Sequence, residues 1–128
     1  MADVIFDRKE QLQKIQRLLV PNETLYAVYD LKGSGTGFVG ITDLRLIFMD
    51  QAFLRSQKAV VSLPFSRITA VAAEDSGQIL LGSLLGTSVL TIIAGTQQWT
   101  FEFRSDDKAH EAYGLMMRNL LQTEARGI

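Results

Sequence analysis

Cysteine is absent from the 128 residues, histidine occurs once and proline twice. Without cysteine there are no disulfides, no thiolate metal sites and no cysteine nucleophile. A single histidine excludes a His-rich metal cage. Charge of either sign is not in excess: 13 lysines and arginines face 14 aspartates and glutamates, a formal net charge of -1. That balance argues against a general nucleic-acid binder, which carries a basic surplus. A secretory signal is also missing, because MADVIFDRKE has early acids and no uninterrupted apolar stretch. Charge is absent from Ser76 to Phe101, the one stretch long enough to consider for a membrane span. Gly77, Gly82, Gly86 and Gly95 interrupt it, and the β-branched run from Thr87 to Ile93 prefers strand. Buried or interface strands are therefore expected there, in a soluble cytoplasmic protein.

What is present is a folding composition. Hydrophobic residues make up 47% and charged residues 21%, which excludes a disordered chain. The length suits one domain, spanning 1–128, with one real core. Residues from about Ile5 to Leu19 have helical spacing, with Leu12, Ile15 and Leu19 on one face. Pro21-Asn22 ends that helix.

From there the period is two. Strands are expected over Leu25–Lys32, Phe38–Ile41, Arg45–Asp50, Lys58–Leu63, Ile68–Glu74, Thr87–Ala94 and Gln97–Arg104. In the last of these Trp99, Phe101 and Phe103 alternate with polar residues. Gly33–Gly37, Thr42-Asp43-Leu44 and Gly95-Thr96 are the turn signals, and Pro64 closes the fourth strand. A final helix is expected over about 105–122. Ser105 is its N-cap, Asp106 and Asp107 suit its positive end, and Ala109, Tyr113, Met116 and Leu120 form its apolar face. Helix, seven antiparallel strands and helix predict a mainly β domain. The barrel or bent sandwich would span about 24–104 and be capped by the last helix.

The run Gly40-Ile41-Thr42-Asp43-Leu44-Arg45-Leu46-Ile47-Phe48 resembles the "TDxRLIF" hairpin of bacterial pleckstrin-homology-like (PH-like) domains. Val60-Val61-Ser62-Leu63-Pro64-Phe65-Ser66-Arg67-Ile68 resembles that family's strand, proline corner and next strand. Trp99–Arg104, followed by Ser105–His110, resembles its last strand entering the capping helix. The likeness covers about Leu19 to Leu121. It implies a seven-stranded antiparallel bent sandwich or partly open barrel with a C-terminal helix, used for binding or assembly and not for catalysis. Self-association is common in such a family.

Motifs for chemistry are not met. Gly33–Gly37 lacks the lysine and helix of a phosphate loop, and Phe38 breaks a dinucleotide fingerprint. Gly86-Thr87-Ser88-Val89-Leu90 misses the second glycine of a nucleophile elbow. His110, the sole imidazole, reads as a helix-surface or half-buried structural residue of the last helix. No catalytic residue, metal ligand or cofactor is expected. Asp43 and Arg45 read as a hairpin clasp, with Arg45 pairing with Asp43 or with a neighbouring strand.

Two binding surfaces remain as expectations. The apolar run containing Ile79, Leu80, Leu81, Leu84 and Leu85 either completes the core or forms an interface with another copy or another protein. The N-terminal helix raises the same alternative. Lys32, Arg45 and Lys58 are the candidate contacts for an anionic lipid or phosphate, although nothing in the sequence concentrates them, so membrane association has little support.

Overall fold

The computed structural model describes residues 3–32, 37–54, 57–75 and 87–125. They form two compact units that divide after Pro64.

The first unit is a five-stranded sheet with a helix. Its strands are β1 (Ile5–Phe6), β2 (Leu25–Asp30), β3 (Phe38–Thr42), β4 (Arg45–Leu54) and β5 (Gln57–Pro64), in the order β1-β2-β3-β4-β5. β2 to β5 pair antiparallel, as expected from the short connections. β1 pairs parallel to β2, Ile5 beside Ala27 and Phe6 beside Val28. This corrects two expectations. The sheet is not purely antiparallel, and the N-terminal helix does not begin at Ile5. The helix, α1, is only Lys9–Gln16. The apolar pair Ile5-Phe6 suits an edge strand, and Arg8 is still extended (φ -133°, ψ 131°). At the other end, Leu18 and Leu19 donate to Ile15 and Gln16, a tightened last turn that stops the helix before Pro21.

This sheet is buried on both faces. Ala27, Tyr29, Val39, Ile41, Leu46 and Phe48 line one face. Val28, Phe38, Gly40 and Ile47 alternate with them and line the other, together with Leu25, which the bulge between Leu25 and Ala27 turns to that side. Over this second face lies α1, with Ile15 in the cluster and Leu12, Leu18 and Leu19 packed at its margin. Gly40 is where the helix comes closest. A Cβ at that position would stand 3.0 Å from Ile15 Cγ2 and 3.2 Å from its Cδ1.

The second unit is a three-stranded antiparallel sheet with a longer helix. A 3-10 turn, η1 (Phe65–Arg67), follows Pro64. Then come β6 (Ala70–Asp75), β7 (Ser88–Ala94), β8 (Gln97–Phe103) and α2 (Lys108–Ala125), the sheet order being β6-β7-β8. Gly95 takes a φ of +64° in the turn between β7 and β8, a conformation that suits glycine. Leu90, Ile92, Phe101 and Phe103 are buried, as are Ala109, Ala112 and Met116 of α2. The helix packs on all three strands and on η1.

α2 starts at Lys108 and not at Ser105, and its cap comes from another element. The Ser88 hydroxyl donates to Ser105 O (2.7 Å) and accepts from Ala109 N (2.9 Å). Ser105 instead donates to the Asp107 carboxylate, and the first helical bond runs from Glu111 N to Asp107 O. Ser88 is fully buried, so both bonds are made away from water. Ser88→Ala should therefore cost about 1–2 kcal/mol, read as a lower urea midpoint with unchanged slope. An unchanged midpoint would show that the hydroxyl is not the cap.

Candidate functional site

Of the residues named from the sequence, Arg45 sits in a clasp at one end of the first sheet. Arg45 opens β4 on the face that α1 covers. Its Nε donates to Glu23 Oε2 (2.8 Å) and its Nη2 to Glu23 Oε1 (2.9 Å) and to Leu18 O (2.8 Å). Its Nη1 donates to Ser62 Oγ (2.9 Å). Four of the five guanidinium N–H groups are thus engaged within the fold. The Glu23 side chain is wholly buried, and its carboxylate also accepts from Val20 N (3.0 Å) and the Thr42 hydroxyl (2.7 Å). Thr42 Oγ1 in turn accepts from Leu44 N and Arg45 N, both at 3.0 Å, which fixes the turn. The Arg45 hydrogen bonds hold the Glu23 carboxyl down at about 2, outweighing the burial that would raise it. The same bonds push Arg45 further up.

Asp43, expected in this clasp, makes a different contact. Its Oδ1 accepts from Thr24 N (2.9 Å) and its own N–H donates to Thr24 O (3.0 Å), tying the β3–β4 turn to the start of β2. Arg45 pairs with Glu23, 22 positions earlier, and no local spacing announces that partner.

The three candidate anion contacts are not gathered. Arg45 sits at the end where Leu25 faces Thr42, whereas Lys32 follows the opposite end of β2, where Asp30 faces Phe38. Six or seven strand residues separate those ends, about 20 Å. Lys58 falls in β5, beyond the Asp50–Ala59 pair and away from Arg45. Ile79, Leu80, Leu81, Leu84 and Leu85 lie outside the described residues. Among the described residues, no three acidic or histidine side chains cluster to hold a metal ion.

The second unit carries the concave surface. β6 is an edge strand of its sheet. Two clefts lie between it and α2, and a further one adjoins them beside η1 and the β7–β8 turn. The first, about 400 Å³, is lined by Ser66, Arg67, Thr69, Ala94 and Gly95. The second, about 180 Å³, lies between Ile68–Val71 and the α2 residues Met117, Leu120 and Leu121. The third, about 380 Å³, lies between Val71–Ala73 and His110 and Tyr113. Thr69 joins the first two and Val71 joins the last two. The β6 side sets Ala70, Ala72 and Ala73 beside Ile68 and Val71, and the α2 side is mostly apolar apart from His110, with Leu121 61% exposed and Tyr113 36% exposed. Sequence reading missed this groove. The run Ala70–Ala73 reads as an ordinary strand, and only the edge position of β6 leaves it open.

With this geometry in hand, comparison with known proteins gives a consistent result. Residues 2–119 match the family model described as "Bacterial PH domain". Among solved structures, the chain is similar to the crystal structure of a pleckstrin homology domain from Shewanella amazonensis SB2B. The TM-score is 0.60 and the identity 20%, over 90% of this chain and 99% of that one. No curated protein matches.

Proposed function

The chain belongs to the bacterial PH domain family, and on that premise we propose that it is a non-catalytic docking module that assembles with further copies of itself through the β6–α2 groove. Its fold is the mainly β PH-like one, with sheets of five and three strands, a short N-terminal helix and a C-terminal helix. The observation that carries the proposal is the groove itself. An edge strand presents a row of backbone N–H and C=O groups that another extended backbone can pair with. Beside that edge, Tyr113, Met117 and Leu121 supply apolar surface.

A second copy fits this edge by symmetry. Antiparallel pairing of two β6 strands about Val71 sets Ala70 opposite Ala72 and Thr69 opposite Ala73. The alanines then face each other across the seam, with Val71 meeting its own copy at the centre. The reading as a binder of anionic lipid or phosphate through Lys32, Arg45 and Lys58 is not favoured, because the Arg45 donors are committed to the clasp. A cytoplasmic location, expected from the lack of cysteine, belongs to the same proposal. No described helix is long and apolar enough to cross a membrane.

Light scattering across a concentration series tests the assembly. The solution mass should exceed that of one chain and rise with concentration. Leu121→Asp and Ala72→Arg, both at exposed positions, should return it to one chain while leaving the circular dichroism unchanged. A single-chain mass at every concentration, indifferent to both substitutions, would dispose of the proposal.

A further inference from the structure

The face of the first sheet that α1 covers is a groove with its occupant in place, and the occupant belongs to the same chain. Several contacts seat it, among them bonds from Asp7 N to Val28 O (3.2 Å) and from Gln11 Nε2 to Gly37 O (3.4 Å). Ile15 enters the space left by Gly40. Gln11 Nε2 donates to Asp30 Oδ1 (2.8 Å) across 19 positions of sequence. Beyond the helix, the Asp7 carboxylate accepts from Asp30 N (2.8 Å), in the place a longer β1 would fill.

Other features mark the same segment as weakly held. α1 is eight residues long, and its Arg8 N-cap donates to the exposed Glu10 carboxylate (2.8 Å) and makes no side-chain bond that caps the helix backbone. A helix that short is unstable in water unless docked. β1 has two residues, and Ile5 and Phe6 are 40% and 46% exposed. Gln11 Oε1 is buried with no hydrogen-bond partner, an unfavourable contact that opening would relieve. Beginning at Leu18 the situation changes. Leu18 O, Val20 N and Glu23 are all held by the Arg45 clasp. The boundary between what can lift and what stays therefore falls between Arg17 and Leu18.

We propose that residues 3–17 form a latch that opens as a unit about this boundary, and that the uncovered face accepts the same segment from a second copy of the chain. The occupant follows from complementarity already on the page: an amphipathic helix whose Ile fills the Gly40 space and whose Gln, four residues earlier, reaches Asp30. This surface is separate from the β6 edge, so the two proposals stand or fall independently.

The test uses the full-length chain and a fluorescein-labelled peptide of residues 3–17. Hydrogen exchange on the unlabelled chain should show α1 amides exchanging at least about 10-fold faster than those of β3, as a locally opening element does. Anisotropy should show the peptide entering the chain, and a peptide carrying Ile15→Asp should bind at least about 30-fold more weakly. The same entry should occur in the Ala72→Arg chain, where the β6 edge is blocked. Exchange in α1 as slow as in β3 would overturn the latch. Fast exchange with no peptide entry, or equal entry of the Ile15→Asp peptide, would overturn docking by a second copy.

Discussion

Replacing Arg45 by alanine is expected to lower the unfolding temperature by at least about 10 °C. The substitution leaves the Glu23 carboxylate buried without its cation, and breaking a buried pair from one side costs roughly 3–5 kcal/mol. For a chain of this length, 3 kcal/mol corresponds to about 11 °C at roughly 2.1 cal/mol/K per residue. Arg45→Lys should recover only part of the loss, because an ammonium cannot donate in parallel to both Glu23 oxygens while also reaching Leu18 O and Ser62. The pH profile carries the same signature. Glu23 is depressed from an ordinary 4.5 to about 2 in the folded state, so its contribution is fully present above pH 4.5 and is lost as the pH falls toward 2. That contribution is on the order of 3 kcal/mol. In Arg45→Ala the acid limb of the stability profile should be visibly shallower. Equal acid limbs in the two proteins would mean that Glu23 does not draw its acidity from Arg45.

Gly40→Leu should destabilise the chain by about 2–3 kcal/mol, and Ile15→Ala should recover most of that loss. The added side chain occupies the space where Ile15 lies, and overpacking of this kind typically costs 1–3 kcal/mol. Removing the Ile15 branches clears the obstruction, so the two substitutions couple strongly and are far from additive. Urea unfolding of the four proteins in the cycle measures the coupling. Additive effects would mean that Ile15 and Gly40 do not share one space.

The strands were legible because their signal is local. Trp99, Phe101 and Phe103 alternate with polar residues, and Phe101 and Phe103 are buried as that alternation requires. Pro64 marks the corner and Thr42-Asp43-Leu44 the turn, and both sit where the sequence places them. Errors came where a partner lies far along the chain. Ile5-Phe6 continues a helical-looking pattern, yet the edge of β2 takes it as a strand. Ser105 has the chemistry of an N-cap, but Ser88, 21 residues before the Ala109 amide it binds, does that work. Gln11 looks like a solvent-facing polar residue of an amphipathic helix, and it is buried against Asp30. Glu23 and the β6–α2 groove have no period or motif that would have disclosed them, since each depends on which elements the fold brings side by side.

The most direct test of assembly through β6 is hydrogen exchange at that strand across a micromolar to millimolar range. Amides of β6 that bond nothing in β7 should become protected as concentration rises, and Leu121→Asp should abolish that protection while the amides bonded to β7 stay unchanged. If those outward amides exchange at the rate of open backbone at every concentration, copies of the chain do not meet at this edge.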